Sequence, residues 1–201
     1  MNIRNRITEG AADLFRTYGI KSVTMDSLAN HLGISKRTIY ENFKDKDELL
    51  IGVLNLMTEK QKELLKRVLN DSENAIVAIF KLLEINMNHF QEMCPTFIAD
   101  MKRFQHDVLA KKSDSFDMPD YRSHIQLINK GIEEKLFKKE INADLVNRCL
   151  YFLVRSIMDE DLYPFEQFTR REVLRNTFIS YLRGISTNEG VNLVNKLEAK
   201  F

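Results

Sequence analysis

The chain has 201 residues, which is enough for one large domain or for a small domain joined to a larger one. Hydrophobic residues make up 44% of it, but it has only 7 glycines and 3 prolines, which disfavours a turn-rich β sandwich or barrel and favours an all-helical fold. The formal net charge of +1 favours no class of partner, although the first 40 residues carry six Lys or Arg against three Asp or Glu.

Two helices with clear boundaries are predicted at the start of the chain. Apolar residues recur every three or four positions over residues 3–18, and Gly19 follows them as a C-terminal stop. Thr24 is placed to cap a second, short helix, which Gly33 ends. A glycine therefore marks the predicted end of each helix, and Thr24 marks the predicted start of the second.

The connection between the second and third helices consists of little more than the tripeptide Gly-Ile-Ser, residues 33–35. Ser35 is the predicted N-cap of the third helix, and Ile39 and Phe43, four residues apart, are expected to face inward. Asp45 and Glu48 have the spacing of a capping box and begin a fourth helix. Two short helices joined by a tight turn with a glycine are typical of a helix-turn-helix motif.

The rest of the chain predicts further helices and no strands. The fourth helix extends to about residue 70, and the later candidates are 74–93, 95–111, 120–139, 143–159 and 170–186, with a short helix at the end. Breaks are expected at 94–95, 111–120 and 159–168. We therefore predict an all-α fold of about nine helices, with a helix-turn-helix domain at residues 1–46 and a larger bundle at residues 47–201.

One face of the third helix, opposite its two apolar anchors, is polar and carries Lys36, Arg37, Tyr40, Glu41 and Lys44. In a DNA major groove, Arg or Lys can pair with guanine O6 and N7, while hydroxyls and helix N-termini contact phosphates. The alternative is an ordinary solvated helix. Glu41 either accepts from a cytosine N4 or orients Arg37, and the spacing of four residues favours the second.

Residues 24–50, TMDSLANHLGISKRTIYENFKDKDELL, resemble the N-terminal domain of TetR/AcrR-type regulators. The pattern T-x-x-x-I-A-x-x-x-G-V-S-x-x-x-L-Y-x-x-F-x-x-K-x-x-L is matched by Thr24, Ala29, Gly33, Ser35, Tyr40, Phe43, Lys46 and Leu49, with Leu28, Ile34 and Ile39 as conservative replacements. The resemblance implies a transcriptional regulator, in most cases a repressor, that binds a palindromic double-stranded DNA operator as a homodimer and is released by a small-molecule effector.

The resemblance also implies roles for single residues. Thr24, Tyr40 and Lys46 match positions that commonly hold phosphates, whereas residues 36 and 37 tend to face bases. Position 37 is often glycine or small in the family, and position 42 is often aromatic or histidine, so Asn42 either reads adenine or contacts the DNA backbone. The predicted DNA-binding set is Thr24, Ser35, Lys36, Arg37, Thr38, Tyr40, Asn42 and Lys46.

Large, flexible apolar side chains between residues 80 and 104 form a candidate effector pocket. The set comprises Met87, Phe90, Phe97, Met101 and Phe104, and such side chains suit an apolar or aromatic molecule. Ordinary core packing is the alternative. The resemblance to ligand-gated regulators favours the pocket slightly, without identifying the effector.

The helix around residues 145–158 is apolar over about two thirds of its circumference, so we expect it to be packed on two sides. With the next helix it could bury a symmetry mate in a four-helix interface, an arrangement that the resemblance also implies. The predicted interface residues are Leu150, Leu153, Ile157, Phe178, Tyr181 and Leu182. A central helix of one monomeric bundle is the alternative.

The sequence shows no pattern typical of catalysis or of metal binding. Its histidines lack metal-ligand spacing, and it has no P-loop, dinucleotide motif or nucleophile elbow, so no enzyme, metal or cofactor is expected. Cys94 and Cys149 fit no disulfide framework and are expected to be reduced and buried. With no signal peptide and no run of about 20 apolar residues, we expect a cytoplasmic protein without membrane contact. Two alternatives stay open: a dimeric adaptor or co-regulator of the same fold that acts through a protein partner, and a small helical enzyme.

Overall fold

The computed structural model describes residues 2–109 and 124–199, and the described residues are almost entirely helical. The helices are α1 (Ile3–Tyr18), α2 (Met25–Leu32), α3 (Lys36–Asn42), α4 (Lys46–Asn70), α5 (Ala75–Gln91), α6 (Pro95–Leu109), α7 (Ile125–Glu133), α8 (Ala143–Ser156), α9 (Arg170–Leu174), α10 (Ser180–Ile185) and α11 (Asn188–Glu198). A π-helical segment, Arg175–Ile179, joins α9 to α10 in one continuous helix. The prediction of an all-α fold is confirmed.

The boundaries of α2 and α3 come from the capping residues predicted for them. The Thr24 side chain accepts from the Ser27 N–H and the Ser27 side chain accepts from the Thr24 N–H, which makes a reciprocal capping box. Ser35 accepts from the Thr38 N–H over 3.0 Å. Gly33 ends α2 at φ 62°, in the left-handed region that glycine occupies without strain. These local bonds fix the short turn between the two helices.

Helices α1–α3 belong to a compact unit made of residues 2–62 together with residues 86–109. Its core contains the buried faces of α1 and α4, the two α3 anchors and, from α6, Phe97, which is 2% exposed. At the start of α6 the Cys94 N–H donates to the Arg16 carbonyl over 3.0 Å, and the Lys21 N–H donates to Asp100 Oδ2 over 2.9 Å. The compact unit therefore extends beyond the predicted boundary at residue 46, because α6 covers α1.

The second compact unit contains residues 63–85 and 124–199. The helix predicted for residues 120–139 ends earlier, at Glu133. The chain reverses at Lys135, which has φ 60°, and places Phe137 over Gly131, where an added Cβ would lie 2.3 Å from the phenylalanine ring. Phe137 then forms an isolated antiparallel bridge with Ser186. The reversal at Lys135 and the packing of Phe137 on Gly131 thus follow the end of α7. Residues 132–139 contain no glycine or proline from which this end could be predicted.

The predicted break at 159–168 is present, and one arginine organises it. The Arg170 guanidinium donates to the carbonyls of Ile157, Tyr163 and Phe168, and it lies 4.1 Å from the centre of the Phe165 ring. The break predicted at 111–120 lies outside the described residues. Within the part of the chain that the structure describes, no helix has the length and apolar character required to cross a bilayer.

Candidate functional site

Helix α3 is held from behind by two buried side chains, as the sequence predicts. Ile39 is 0% exposed and Phe43 is 1% exposed, and both lie in the core of the N-terminal unit. On the other side, the Arg37 side chain is 87% exposed and Tyr40 is 47% exposed. The helix therefore presents a cation and a phenol to solvent from a rigid support.

Both cations of α3 are paired with carboxylates. Lys36 Nζ donates to Asp26 Oδ2 of α2 over 2.7 Å, and Arg37 Nε donates to Glu41 Oε1 over 2.9 Å. The hydrogen bond with Asp26 raises the pKa of Lys36. The ion pair shows Glu41 bonded to Arg37, as expected if Glu41 orients that side chain. Asp26 was not among the predicted site residues.

Several other predicted DNA-binding residues make local hydrogen bonds. The hydroxyls of Ser35 and Thr38 lie 2.9 Å apart, and Asn42 Nδ2 donates to the Thr38 carbonyl over 2.8 Å. Asn42 is thus turned back along its own helix and would need another rotamer to reach a base. Thr24 is exposed at the start of α2, where its side chain caps the helix.

Lys46, a predicted phosphate ligand, is half-buried at the start of α4. Its Nζ donates to the carbonyls of Lys21 and Val23 in the connection between α1 and α2. Burial lowers the pKa of this ammonium, and the carboxylates of Asp100 and Asp47 oppose that shift. An ammonium has three N–H donors, so these two bonds leave one for an anion. In this structure Lys46 also fixes the position of the α1–α2 connection.

Two arginines of α1 support the C-terminal ends of α2 and α3, and the sequence reasoning missed them. Arg4 donates to the Asn42 carbonyl and to Glu48 Oε1, the latter over 3.0 Å, and its guanidinium lies 4.1 Å from the centre of the Phe43 ring. Arg6 donates to the Leu32 carbonyl over 2.7 Å. Both arginines thus satisfy carbonyls at the C-terminal ends of short helices. In the sequence, both arginines lie next to apolar positions of α1, and this could have indicated that they contact neighbouring helices.

Glu48 completes the connection between α3 and α4. Its Oε2 accepts from the Lys44 N–H over 2.8 Å, and Asp45 Oδ1 accepts from the Glu48 N–H over 2.8 Å. The bond from the Lys44 backbone and the nearby Arg4 lower the pKa of Glu48. The predicted capping pair is therefore present, with the glutamate bonded one residue earlier than in a reciprocal box.

The five residues of the predicted effector pocket differ in their surroundings. Phe97 is part of the N-terminal core, and Met101 and Phe104 are partly buried against that core. For these three residues, the structure shows the core packing that was the alternative at sequence level. Met87 and Phe90 are half-buried on α5, and their role in a pocket stays a prediction.

A cleft of about 420 Å³ lies in the second unit and is lined mainly by polar side chains, among them Glu73, Asn74, Glu134, Glu189, Asn192 and Lys196. None of the five predicted pocket residues lines it. Its charged walls do not suit an apolar ligand.

Most of the predicted interface residues are covered within the protomer. Leu150, Ile157, Phe178 and Leu182 are at most 7% exposed, and α8 packs on α7 and on the π-helical segment. Leu153 and Tyr181 are half-buried. The four buried side chains hold α8 in place, and they offer almost no surface to a partner chain.

The solvent-facing side of α8 nevertheless carries exposed apolar side chains, beside the exposed Arg148 and Arg155. Leu145 is 59% exposed and Phe152 is 68% exposed, and Cys149, expected to be buried, is exposed between them. Burial and the neighbouring Cys149 thiol raise the pKa of Tyr181 to about 12. We call Leu145, Cys149 and Phe152 the α8 surface. Exposed apolar residues in such a row are typical of a protein–protein contact.

Comparisons with known proteins agree with the helix-turn-helix geometry. Residues 7–53 match the family model of bacterial regulatory proteins of the tetR family. The uncharacterized HTH-type transcriptional regulator YvaF of Bacillus subtilis is 26% identical over 182 residues, which cover 89% of this chain and 94% of the relative. The HTH-type transcriptional repressor KstR2 of Mycobacterium tuberculosis is 24% identical over 73% of this chain and 75% of its own length.

Solved structures show the same fold over nearly the whole chain. The crystal structure of a gamma-butyrolactone receptor, an ArpA-like protein, superposes with a TM-score of 0.64 at 19% identity and covers 98% of this chain and 97% of its own. The similarity thus extends from the matched N-terminal residues to the C-terminal helices. With its capped α2 and α3 and its outward-facing cations, the N-terminal part of the chain thus matches the TetR family of bacterial regulatory proteins over residues 7–53.

Proposed function

We propose that the protein is a transcriptional repressor that binds a palindromic DNA operator as a homodimer. One observation carries the proposal: α3 presents Lys36, Arg37 and Tyr40 outward while Ile39 and Phe43 anchor it in the core. A helix supported in this way can enter a major groove and bring its N-terminal residues to base edges. The similarity to KstR2, which is a repressor, supports the sign of regulation. Such a protein acts in the cytoplasm, where the DNA lies.

The test is duplex binding as a function of salt. A labelled 30-base-pair duplex pool of random sequence, followed by selection of bound sequences, is expected to yield a palindrome whose half-sites lie about one DNA turn apart, roughly 34 Å, or somewhat more. Affinity is expected to fall steeply as salt rises, because each phosphate contact releases counterions. A protein that binds no duplex at low salt, or whose binding ignores salt, would contradict the proposal and favour an adaptor.

A homodimer follows from the length of the recognition helix. One copy of α3, with seven residues, contacts only a few base pairs, and linking two copies makes the second contact intramolecular. The α8 surface offers an apolar area for that contact. We propose that it packs against its own copy across a two-fold axis, with the half-buried Leu153 and Tyr181 at its edge.

Replacing Phe152 with aspartate is expected to convert the dimer to a monomer. An unpaired carboxylate in an apolar interface has a high desolvation cost, so the dimer Kd is expected to rise by at least about 100-fold. Light scattering across a concentration series measures the change. Tyr18→Asp is the control, since Tyr18 is an exposed aromatic residue of α1. If Phe152→Asp dimerises over the same concentration range as the wild type, the α8 surface is not the dimer interface.

Release by a small apolar or aromatic effector is the second part of the proposal. The flexible side chains of Met87 and Phe90 and the fold shared with a gamma-butyrolactone receptor support it. Binding would favour a conformer whose two α3 helices are mis-spaced for the operator, a coupling of typically about 1–3 kcal/mol. Compounds that raise the melting temperature are then added to the operator complex. Unchanged operator affinity with every such compound would contradict this part alone.

A further inference from the structure

The structure places a carboxylate on each cation of α3. Asp26 of α2 accepts from Lys36 Nζ over 2.7 Å, and Glu41 accepts from Arg37 Nε over 2.9 Å. Helix α3 contains no other Lys or Arg. The side that faces DNA in the proposed function therefore carries two ion pairs instead of two unopposed positive charges.

Asp26 is not needed to hold the fold. Its side chain is 62% exposed and that of Lys36 is 49% exposed, and exposed ion pairs contribute little to stability. The α2–α3 turn is already fixed by the Thr24 cap and by the buried side chain of Ile39. Asp26 also lies in the first turn of α2, where a negative charge is modestly favourable. Its hydrogen bond to Lys36 gives the carboxylate a second effect, on where that ammonium can reach.

An ammonium held by one carboxylate keeps two N–H donors. Guanine offers two acceptors, O6 and N7, in the major groove. A lysine without an anchor can instead turn on its flexible side chain to the nearest phosphate, and that contact is the same for every sequence. Anchoring Lys36 to Asp26 thus restricts it to acceptors that its remaining donors can reach.

We propose that Asp26 is a specificity-determining residue that positions Lys36 for base contact and withholds it from phosphates on DNA of arbitrary sequence. The inference rests on the proposed function, because it concerns how the same α3 side discriminates between duplexes. Glu41 gives Arg37 the same kind of support: with Nε engaged, both terminal nitrogens of the guanidinium remain to donate to a guanine.

Asp26→Asn tests the proposal, because asparagine keeps the shape and removes the charge. Affinity for a random-sequence 30-base-pair duplex is expected to rise roughly threefold to tenfold at 100 mM salt, and the slope of log K against log salt to steepen by about one, since one further phosphate is neutralised. Affinity for the selected operator is expected to stay the same or fall. The ratio of operator affinity to random-duplex affinity is therefore expected to decrease.

Two controls separate this role from general effects of charge. Asp13→Asn removes an equal charge from an exposed ion pair with Arg16 on α1, and it is expected to leave the affinity ratio unchanged. In a Lys36→Ala background, Asp26→Asn is expected to have no effect on random duplex, because the residue acts through Lys36.

The proposal is overturned if Asp26→Asn leaves the salt slope unchanged, if it weakens binding to random duplex, or if its effect persists without Lys36. These results differ from failure of the proposed function, in which the wild-type protein itself binds neither the random pool nor any selected duplex. Circular dichroism and melting curves that match the wild type confirm that the variants are folded.

Discussion

Replacing Phe43 with alanine is expected to lower the free energy of unfolding by about 3–5 kcal/mol, the usual cost of deleting a buried aromatic ring. Phe43 is 1% exposed, it packs so closely on α4 that a Cβ at Gly52 would lie 3.1 Å from its ring, and Arg4 covers its other side. The truncation leaves a cavity beneath the C-terminal end of α3. Urea denaturation followed by circular dichroism measures the change.

The matched control for Phe43 is an exposed aromatic residue in the same compact unit. Tyr18 is 59% exposed, so Tyr18→Ala is expected to change stability by no more than about 0.5 kcal/mol. We also expect Phe43→Ala to weaken operator binding under conditions where the variant is still folded, because α3 loses its rigid support. Equal stability of the two variants would mean that Phe43 does not anchor the helix.

The double replacement of Lys36 and Arg37 with alanine is expected to have the largest effect on function. Each side chain that pairs with a guanine is worth about 1–3 kcal/mol, so the two together are expected to cost about 2–6 kcal/mol, or roughly 30-fold to 20,000-fold in operator affinity. Both residues are exposed, so the stability of the fold is expected to remain near that of the wild type. Fluorescence anisotropy on the selected operator measures the loss.

Charge alone is controlled by replacing two exposed lysines of α4, Lys60 and Lys66, with alanine. That variant loses the same charge away from α3, and it is expected to keep most of the operator affinity. The single variant Arg37→Ala then identifies the type of contact. Relaxed specificity at one base position indicates a guanine partner, whereas a uniform loss across sequences indicates a phosphate. Equal losses in both double variants would contradict base readout by α3.

The helix-turn-helix could be predicted because its determinants are local. Thr24, Gly33 and Ser35 act on groups within a few residues of themselves, and Ile39 and Phe43 are set by helical periodicity. The pair between Arg37 and Glu41 is one helical turn long and was visible for the same reason. Features of this kind depend only on residues that are close together in the sequence.

The features that sequence reasoning missed join residues far apart in the chain. Arg4 meets Glu48 across 44 positions, and Phe97 packs in a core formed mainly by α1–α4. Periodicity shows that α8 is apolar on a wide arc, but it cannot show which part its own neighbours cover. Leu150 was therefore predicted at the interface although its own chain buries it, while Phe152 remains exposed.

The compact unit that carries α3 is discontinuous in sequence: the chain leaves it after residue 62 and re-enters it at residue 86. A fragment that stops at residue 53, where the family match ends, would lack Phe97 and the backbone donor of Cys94, and would expose the side of α1 that they cover. Such a truncation is poorly suited to fold alone, and its bare apolar surface favours aggregation. Studies of DNA recognition by this protein therefore need the chain at least through α6.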